Sequence, residues 1–198
     1  MGDNSLAGKL PTDIGHLTAL ESLALHGNWF SGTLPSELGL LTNMWFFSIT
    51  GPIEGTLPTQ IGFMSDMQVF GVMAGDLTGT IPTEIGSWSE AVSLSFAFND
   101  FTGNIPSEIG RLTLLEDLYL WGNRFTGTVP TELGMLTNLV GLWLYRNDLT
   151  GNVDSIFCES NTFPSIVDLT TDCLGDDSEI VCSCCTTCCG VDDTCEAM

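Results

Sequence analysis

Positive charge is nearly missing from this 198-residue chain: Lys9, Arg111, Arg124 and Arg146 stand against 25 Asp and Glu, for a formal charge of −21. That argues against nucleic acid as a partner, because a polyanion is held by Lys and Arg that neutralise its phosphates. Anionic membrane surfaces are disfavoured on the same ground. Long apolar runs are missing too: stretches such as 91–98 are broken by Ser and fall short of the roughly 18 residues a membrane span needs. The chain itself is therefore not expected to insert into a membrane. Cysteine is absent before Cys158, and histidine occurs only as His16 and His26. The opening MGDNSLAGKLP has neither the basic nor the apolar region of an export signal. Leu6 stands where a myristoylation motif needs Ser or Thr.

What the chain has is apolar content and a period. Hydrophobic residues make up 43% and charged residues 15%, a balance that supports a packed core rather than disorder. Prolines at 11, 35, 58, 82, 106 and 130 are spaced by 24, 23, 24, 24 and 24 residues, and each is followed four residues later by glycine. The segments read LPTDIG, LPSELG, LPTQIG, IPTEIG, IPSEIG and VPTELG. Each then runs into an L-x-x-L-x-L-like stretch, from Leu20/Leu23/Leu25 through Leu115/Leu118/Leu120 to Leu139/Leu142/Leu144. Asn28, Asn99, Asn123 and Asn147 follow, then an apolar residue, then glycine. Alternating Leu turn inward from a short strand, and a following Asn can turn inward only if its amide bonds backbone groups of the neighbouring turn. Apolar positions every three residues, as in Leu38/Leu41/Met44, suit a 3₁₀-like turn on the opposite side. No unit buries its core alone, so the units must stack.

This pattern, L-x-x-L-x-L-x-x-N-x-F-x-G-x-I/L-P-x-x-I/L-G, resembles the plant-type leucine-rich repeat of receptor-like kinase ectodomains and polygalacturonase-inhibiting proteins. The resemblance covers residues 4 to about 153 and implies an α/β solenoid: a right-handed superhelix with a parallel concave sheet, short 3₁₀ or helical convex turns, and a second short strand around each Gly-x-Leu-Pro. It divides the chain into residues 1–153, the repeats, and 154–198, a disulfide-rich acidic C-terminal cap. In the second and third units Gly51-Pro52 and Gly75 stand where Asn belongs, which predicts a break in the Asn ladder and extra mobility or altered curvature at 50–76. The chain enters mid-unit with no strand before it. An uncapped solenoid end exposes core side chains, so further repeats and an exporting or anchoring segment are expected upstream.

The cap carries Cys158, Cys173, Cys182, Cys184, Cys185, Cys188, Cys189 and Cys195. An even count at this density reads as a disulfide framework of an oxidising compartment. Adjacent cysteines are poorly placed to bond each other, so each is expected to find a distant partner; the pairing itself stays open. A thiolate metal cluster over 182–189 is the weaker reading, and no metal or cofactor is expected. The acidic run Asp148, Asp154, Glu159, Asp168, Asp172, Asp176, Asp177, Glu179, Asp192, Asp193 and Glu196 reads as a solvated surface.

Residues between the inward Leu form columns on the concave face. One reads Ala24, Ser48, Gly71, Ser95, Tyr119, Trp143; the next His26, Thr50, Met73, Ala97, Trp121, Tyr145; a third Ser22, Phe46, Val69, Ser93, Asp117, Gly141. Two columns turn aromatic together, so Tyr119, Trp121, Trp143 and Tyr145, edged by Asp117 and Arg146, form the candidate ligand platform, with Phe46 and His26 further along the same face. Rings of this kind dominate binding hot spots; the competing expectation is that they pack on one another or beneath the cap. Catalytic motifs are absent, and Glu37, Glu84, Glu108 and Glu132 recur once per unit as an outer ladder rather than a catalytic pair. A polar ladder of Thr33, Thr56, Thr80, Asn104 and Thr128 raises a water-ordering, ice-interacting surface as an alternative. The leading expectation is a non-enzymatic extracellular or cell-surface module, the C-terminal part of a receptor-like protein, binding a protein, peptide or glycan. A secreted inhibitor of a cell-wall glycosidase is the other alternative.

Overall fold

The computed structural model describes residues 4–158, 166–173, 180–190 and 194–197. Glu159, Asp176, Asp177, Glu179, Asp192 and Asp193 of the acidic run lie outside them. Two large sheets are built from the repeats, and a third, two-stranded one pairs Ala7–Gly8 with Trp29–Phe30 in parallel. The concave sheet runs Ser22–Ala24, Phe46–Thr50, Val69–Met73, Ser93–Ser95, Asp117–Tyr119 and Gly141–Trp143, then continues into the cap through Asp168–Thr171, Thr187–Cys189 and the antiparallel Cys195–Ala197. The second sheet runs through Gly32–Thr33, Ile53–Gly55, Asp76–Gly79, Asp100–Gly103, Arg124–Thr128 and Asp148–Asn152, and ends on Ile180–Val181.

Each 3₁₀ turn starts one residue after the repeat's proline, whose ring presets φ (Pro35, −72°) at the point where the turn begins. Leu38 N–H donates to Pro35 O, Leu41 to Leu38 O and Met44 to Leu41 O, at 3.0–3.1 Å. Three successive three-residue turns put Leu38, Leu41 and Met44 on one face, and all three are buried. Glycine four residues after proline has a spatial reason. A Cβ at Gly86 would sit 2.7 Å from Glu108 Cβ and 3.0 Å from Glu108 O of the next coil, so adjacent turns pack backbone to backbone.

The Asn side chains close the other corner. Asn123 Nδ2 donates to Leu120 O (3.0 Å) in its own turn and to Phe96 O (3.0 Å) one coil back, while its Oδ1 accepts from Phe101 N–H (3.1 Å). Asn99 and Asn147 repeat the scheme. At 50–76 the ladder does break, and the chain answers with longer strands. Phe46–Thr50 and Val69–Met73 pair over five residues, where the strands of the fourth to sixth repeats have three. Backbone hydrogen bonds thus extend to where side-chain amides serve elsewhere.

An aromatic row fills the middle of the core: Phe70 lies 5.3 Å from Phe47, 5.0 Å from Trp88 and 5.9 Å from Phe96, centroid to centroid. Trp88 also donates its indole N–H to Ile61 O at 3.2 Å, so its one polar atom is satisfied in the interior. Among the described residues no helix is long and apolar enough to cross a membrane.

All eight cysteines are oxidised, as Cys158–Cys184, Cys173–Cys188, Cys182–Cys185 and Cys189–Cys195. No adjacent pair bonds to itself. The expectation of distant partners fails for Cys185 and Cys189, which close loops of three and six residues. Cys189 and Cys195 face each other across the antiparallel pair Thr187–Cys189 and Cys195–Ala197, and Cys182–Cys185 closes the short connection between Ile180–Val181 and Thr187–Cys189. The Sγ atoms of Cys158, Cys182 and Cys184 lie within 4.8 Å of one another, yet each is already half of a disulfide.

Candidate functional site

Strand register aligns the concave columns residue by residue. Ala24, Ser48, Gly71, Ser95, Tyr119 and Trp143 are direct neighbours across five strand pairs, and so are Ser22, Phe46, Val69, Ser93, Asp117 and Gly141. Small residues therefore sit side by side in the middle of the face and large rings beyond them. The result is a trough of about 630 Å³. Ser48, Gly71, Ser95 and Ala97 form its floor, Phe46 and Met73 bound one end, and Tyr119 and Trp121 the other.

The four rings pack on one another and stay half-exposed. Tyr119 stacks on Trp143 at 4.1 Å, nearly parallel at 1°, and Trp121 stacks on Tyr145 at 4.9 Å. In each Tyr–Trp pair the two rings cover one face of each other, and all four rings line the trough. Phe98 meets Trp121 edge-on at 4.0 Å. Phe98 has φ of 54°, a conformation rare outside glycine, and that backbone turn presents its ring at the rim with 42% exposure. Among the described residues of the cap, the part next to the rings lies beside them in the sheet. The cap strand Asp168–Thr171 extends the sheet beside Trp143, and Asp168 accepts the Trp143 indole N–H at 3.1 Å. Gly141 makes room for this arrangement, since a Cβ there would strike the Trp143 ring.

Of the remaining candidates, Phe46 lines the trough, whereas His26, Asp117 and Arg146 do not. His26 lies on the first repeat, far from the rings. Asp117 stands at the rim, one column from Tyr119, where burial and then Glu116 push its carboxyl above the usual carboxylate range. Burial, then Asp117 and Asp168, push the Tyr119 phenol up as well. Arg146 is at the opposite edge, its guanidinium 6.0 Å from the Phe98 ring centre. Phe98, Gly71, Met73, Ser95 and Ala97 were not among the residues expected to bind. Reading each column whole, small members included, would have found all but Phe98, whose backbone conformation leaves no sequence signal.

The polar ladder of Thr33, Thr56, Thr80, Asn104 and Thr128 runs along the second sheet, away from the trough. The Thr methyls serve as spacers: a Cβ on Gly55, Gly79 or Gly103 of the next coil would lie 3.0–3.1 Å from Thr33, Thr56 or Thr80 Cγ2. The regularity of that ladder thus has a packing cause.

The family model for the leucine rich repeat matches residues 19–41 and 114–136. No curated protein matches the chain. Among solved structures, the plant peptide hormone receptor RGFR1 in complex with RGF2 is 30% identical over 85% of this chain and 27% of its own, with a TM-score of 0.80. The Arabidopsis receptor kinase HAESA, solved with the peptide hormone IDA and the co-receptor SERK1, is 35% identical over 78% of this chain and 26% of its own, with a TM-score of 0.74. A plant ice-binding protein superposes with a TM-score of 0.76 over 91% of this chain and 56% of its own, but at 21% identity the likeness is one of fold alone. The chain spans about a quarter of the length of the two receptor chains. Repeat register, Asn and Gly-x-Leu-Pro spacing, the family model and the receptor structures converge, and the chain is a plant-type leucine-rich repeat protein.

Proposed function

We propose that the chain is a non-catalytic, extracellular recognition module that holds a peptide or protein segment in the concave trough. One observation carries this reading: half-exposed rings from adjacent repeats are aligned at one end of a cavity whose floor is made of Ser, Gly and Ala. A trough of this size, mostly apolar with a few hydroxyls, has the character of a binding site, and Trp and Tyr are the residues on which binding energy concentrates. The receptor ectodomains in complex with peptide hormones support a peptide as the ligand class, and the four disulfides support an oxidising, extracellular setting.

The test is selection of a displayed random-peptide library on the purified chain, followed by two substitutions. Trp121→Ala removes the exposed ring. Gly71→Leu fills the floor, since a Cβ there would meet only Met73 Cε and Ser48 at 3.7 Å. Selected peptides should lose about 2 kcal/mol, roughly thirtyfold in affinity, with both variants, while thermal melts stay close to the parent. Binders indifferent to both substitutions would place recognition elsewhere.

A further inference from the structure

The trough has an electrically lopsided rim. Along the edge where the concave strands begin, Glu116 and Asp117 follow one another, and Asp168 lies close enough to act with Asp117 on the Tyr119 hydroxyl. Asp168 is engaged, by Trp143 Nε1 at 3.1 Å, Thr170 Oγ1 at 2.9 Å and Thr186 Oγ1 at 3.2 Å. Asp117 is half-buried, its N–H donates to Val92 O, and its carboxylate has no hydrogen-bond or ion-pair partner among the described residues. The protein's few cations do not reach it. Arg124 pairs with Asp100 at 2.8 Å on the second sheet, Arg111 ends a convex turn, Lys9 packs at Gly32, and Arg146 stands at the opposite edge beside Phe98.

We infer that the trough selects a basic peptide, taking one Lys or Arg side chain with its alkyl stem on the Ser95–Ala97 floor, its cationic head toward Asp117, and the rings of Tyr119 and Trp121 alongside. This rests on the concave-site reading and adds the chemistry of the ligand. Three observations converge on it. The occupant must be slender, because the floor spans the second to the fourth strand, about 10 Å at the usual strand spacing, and is closed at both ends by large side chains. A cation gains from an aromatic face as well as from a carboxylate. An anionic ligand would meet Asp117 and a protein of net charge −21, and the field of such a chain draws cations toward it.

Acetylated, amidated pentapeptides Gly-Gly-X-Gly-Gly, with X as Arg, Lys, norleucine or Glu, are titrated into the whole chain and followed by tryptophan emission. Arg and Lys should bind about tenfold tighter than norleucine, and Glu weakest. Asp117→Asn should abolish that preference and leave norleucine binding in place. Asp148→Asn, an exposed acid on the second sheet, should change nothing. If the two substitutions weaken the basic peptides alike, attraction is the diffuse effect of net charge and the inference fails. Norleucine binding as well as Lys, with Gly71→Leu blocking both, would overturn the cation preference while leaving the trough as the site. Absence of any binding would sink both.

Discussion

The second and third repeats and the fourth to sixth repeats solve one stacking problem in two ways. In the later repeats an inward Asn ties each corner to the coil before it, and the concave strands stop after three residues. In the earlier two no amide is available, the strands run to five residues, and Phe47 and Phe70 occupy the position that is Leu23, Leu94, Leu118 and Leu142 elsewhere. Backbone pairing and a larger core ring stand in for a side-chain hydrogen-bond network. A solenoid built from nearest-neighbour contacts tolerates such local substitution as long as each interface is closed. The trough lies over the junction between the two kinds of repeat, with its floor on the second to fourth strands and its aromatic wall on the fifth.

The core ring is the sharpest place to break the comparison. Phe70→Ala removes a fully buried side chain touching Phe47, Trp88 and Phe96, and should cost about 3–5 kcal/mol in chemical denaturation. A loss below about 1 kcal/mol would mean that the third repeat is held by its strands alone.

Next comes the network itself. Asn123→Ala deletes one acceptor and one donor group serving Phe101 N–H, Phe96 O and Leu120 O. Leaving buried backbone groups unpaired costs about 1–3 kcal/mol each, so a loss of about 3 kcal/mol is expected. At the nearest counterpart in the second repeat, Thr50 accepts only the Gly27 N–H at 3.0 Å in an exposed setting, and Thr50→Ala should cost less than about 1 kcal/mol. Equal losses at the two sites would erase the distinction between side-chain and backbone closure.

Restoring the missing amide should not repair the ladder. A Cβ at Gly75 would lie 2.9 Å from Gly51 O and 3.0 Å from both Ile53 O and Asn99 Oδ1. Gly75→Asn is therefore expected to destabilise by about 1–3 kcal/mol, the usual cost of overpacking, and a gain in melting temperature would show that the five-residue strands are dispensable.

Most of the architecture was legible in the sequence because each repeat constrains the next. Proline spacing fixed the turns, and the Leu alternation fixed which residues share a column, so the pairings from Ser22 to Gly141 and from Ala24 to Trp143 follow from counting. What counting missed lies where the period fails or carries no information. The lengthened strands at Phe46 and Val69 replace a residue that is absent. The Cys182–Cys185 bridge belongs to a segment without a repeat. The cap's role as further strands of the concave sheet had no pattern to announce it. At the candidate site the rings were visible, but the cavity depends equally on Gly71, Ser95 and Ala97, whose importance is that they leave space.

The smallest expected effect concerns Asp117, and it probes the half of the concave face closed by side chains. Burial, with a lesser contribution from Glu116, raises this carboxyl above its ordinary value, which for Asp is about 3.9. A raised carboxylate favours the protonated folded state, so its contribution to stability is complete below the unfolded-state value and is lost as pH rises through the folded-state value. Asp117→Asn is neutral at every pH and should therefore melt like the parent near pH ~3 and above it near pH ~7. The difference in melting temperature between variant and parent should open as pH rises from the ordinary Asp value, and the size of that opening measures how unwelcome the uncompensated charge is. A basic occupant of the trough should close it again, since a nearby cation lowers a carboxyl pKa. With the Arg pentapeptide at saturation the parent should recover its stability at neutral pH relative to the variant. A difference that stays flat from pH ~3 to ~7 would show that Asp117 is as well solvated as any surface acid, and the aromatic wall would then stand as the trough's sole distinguishing chemistry.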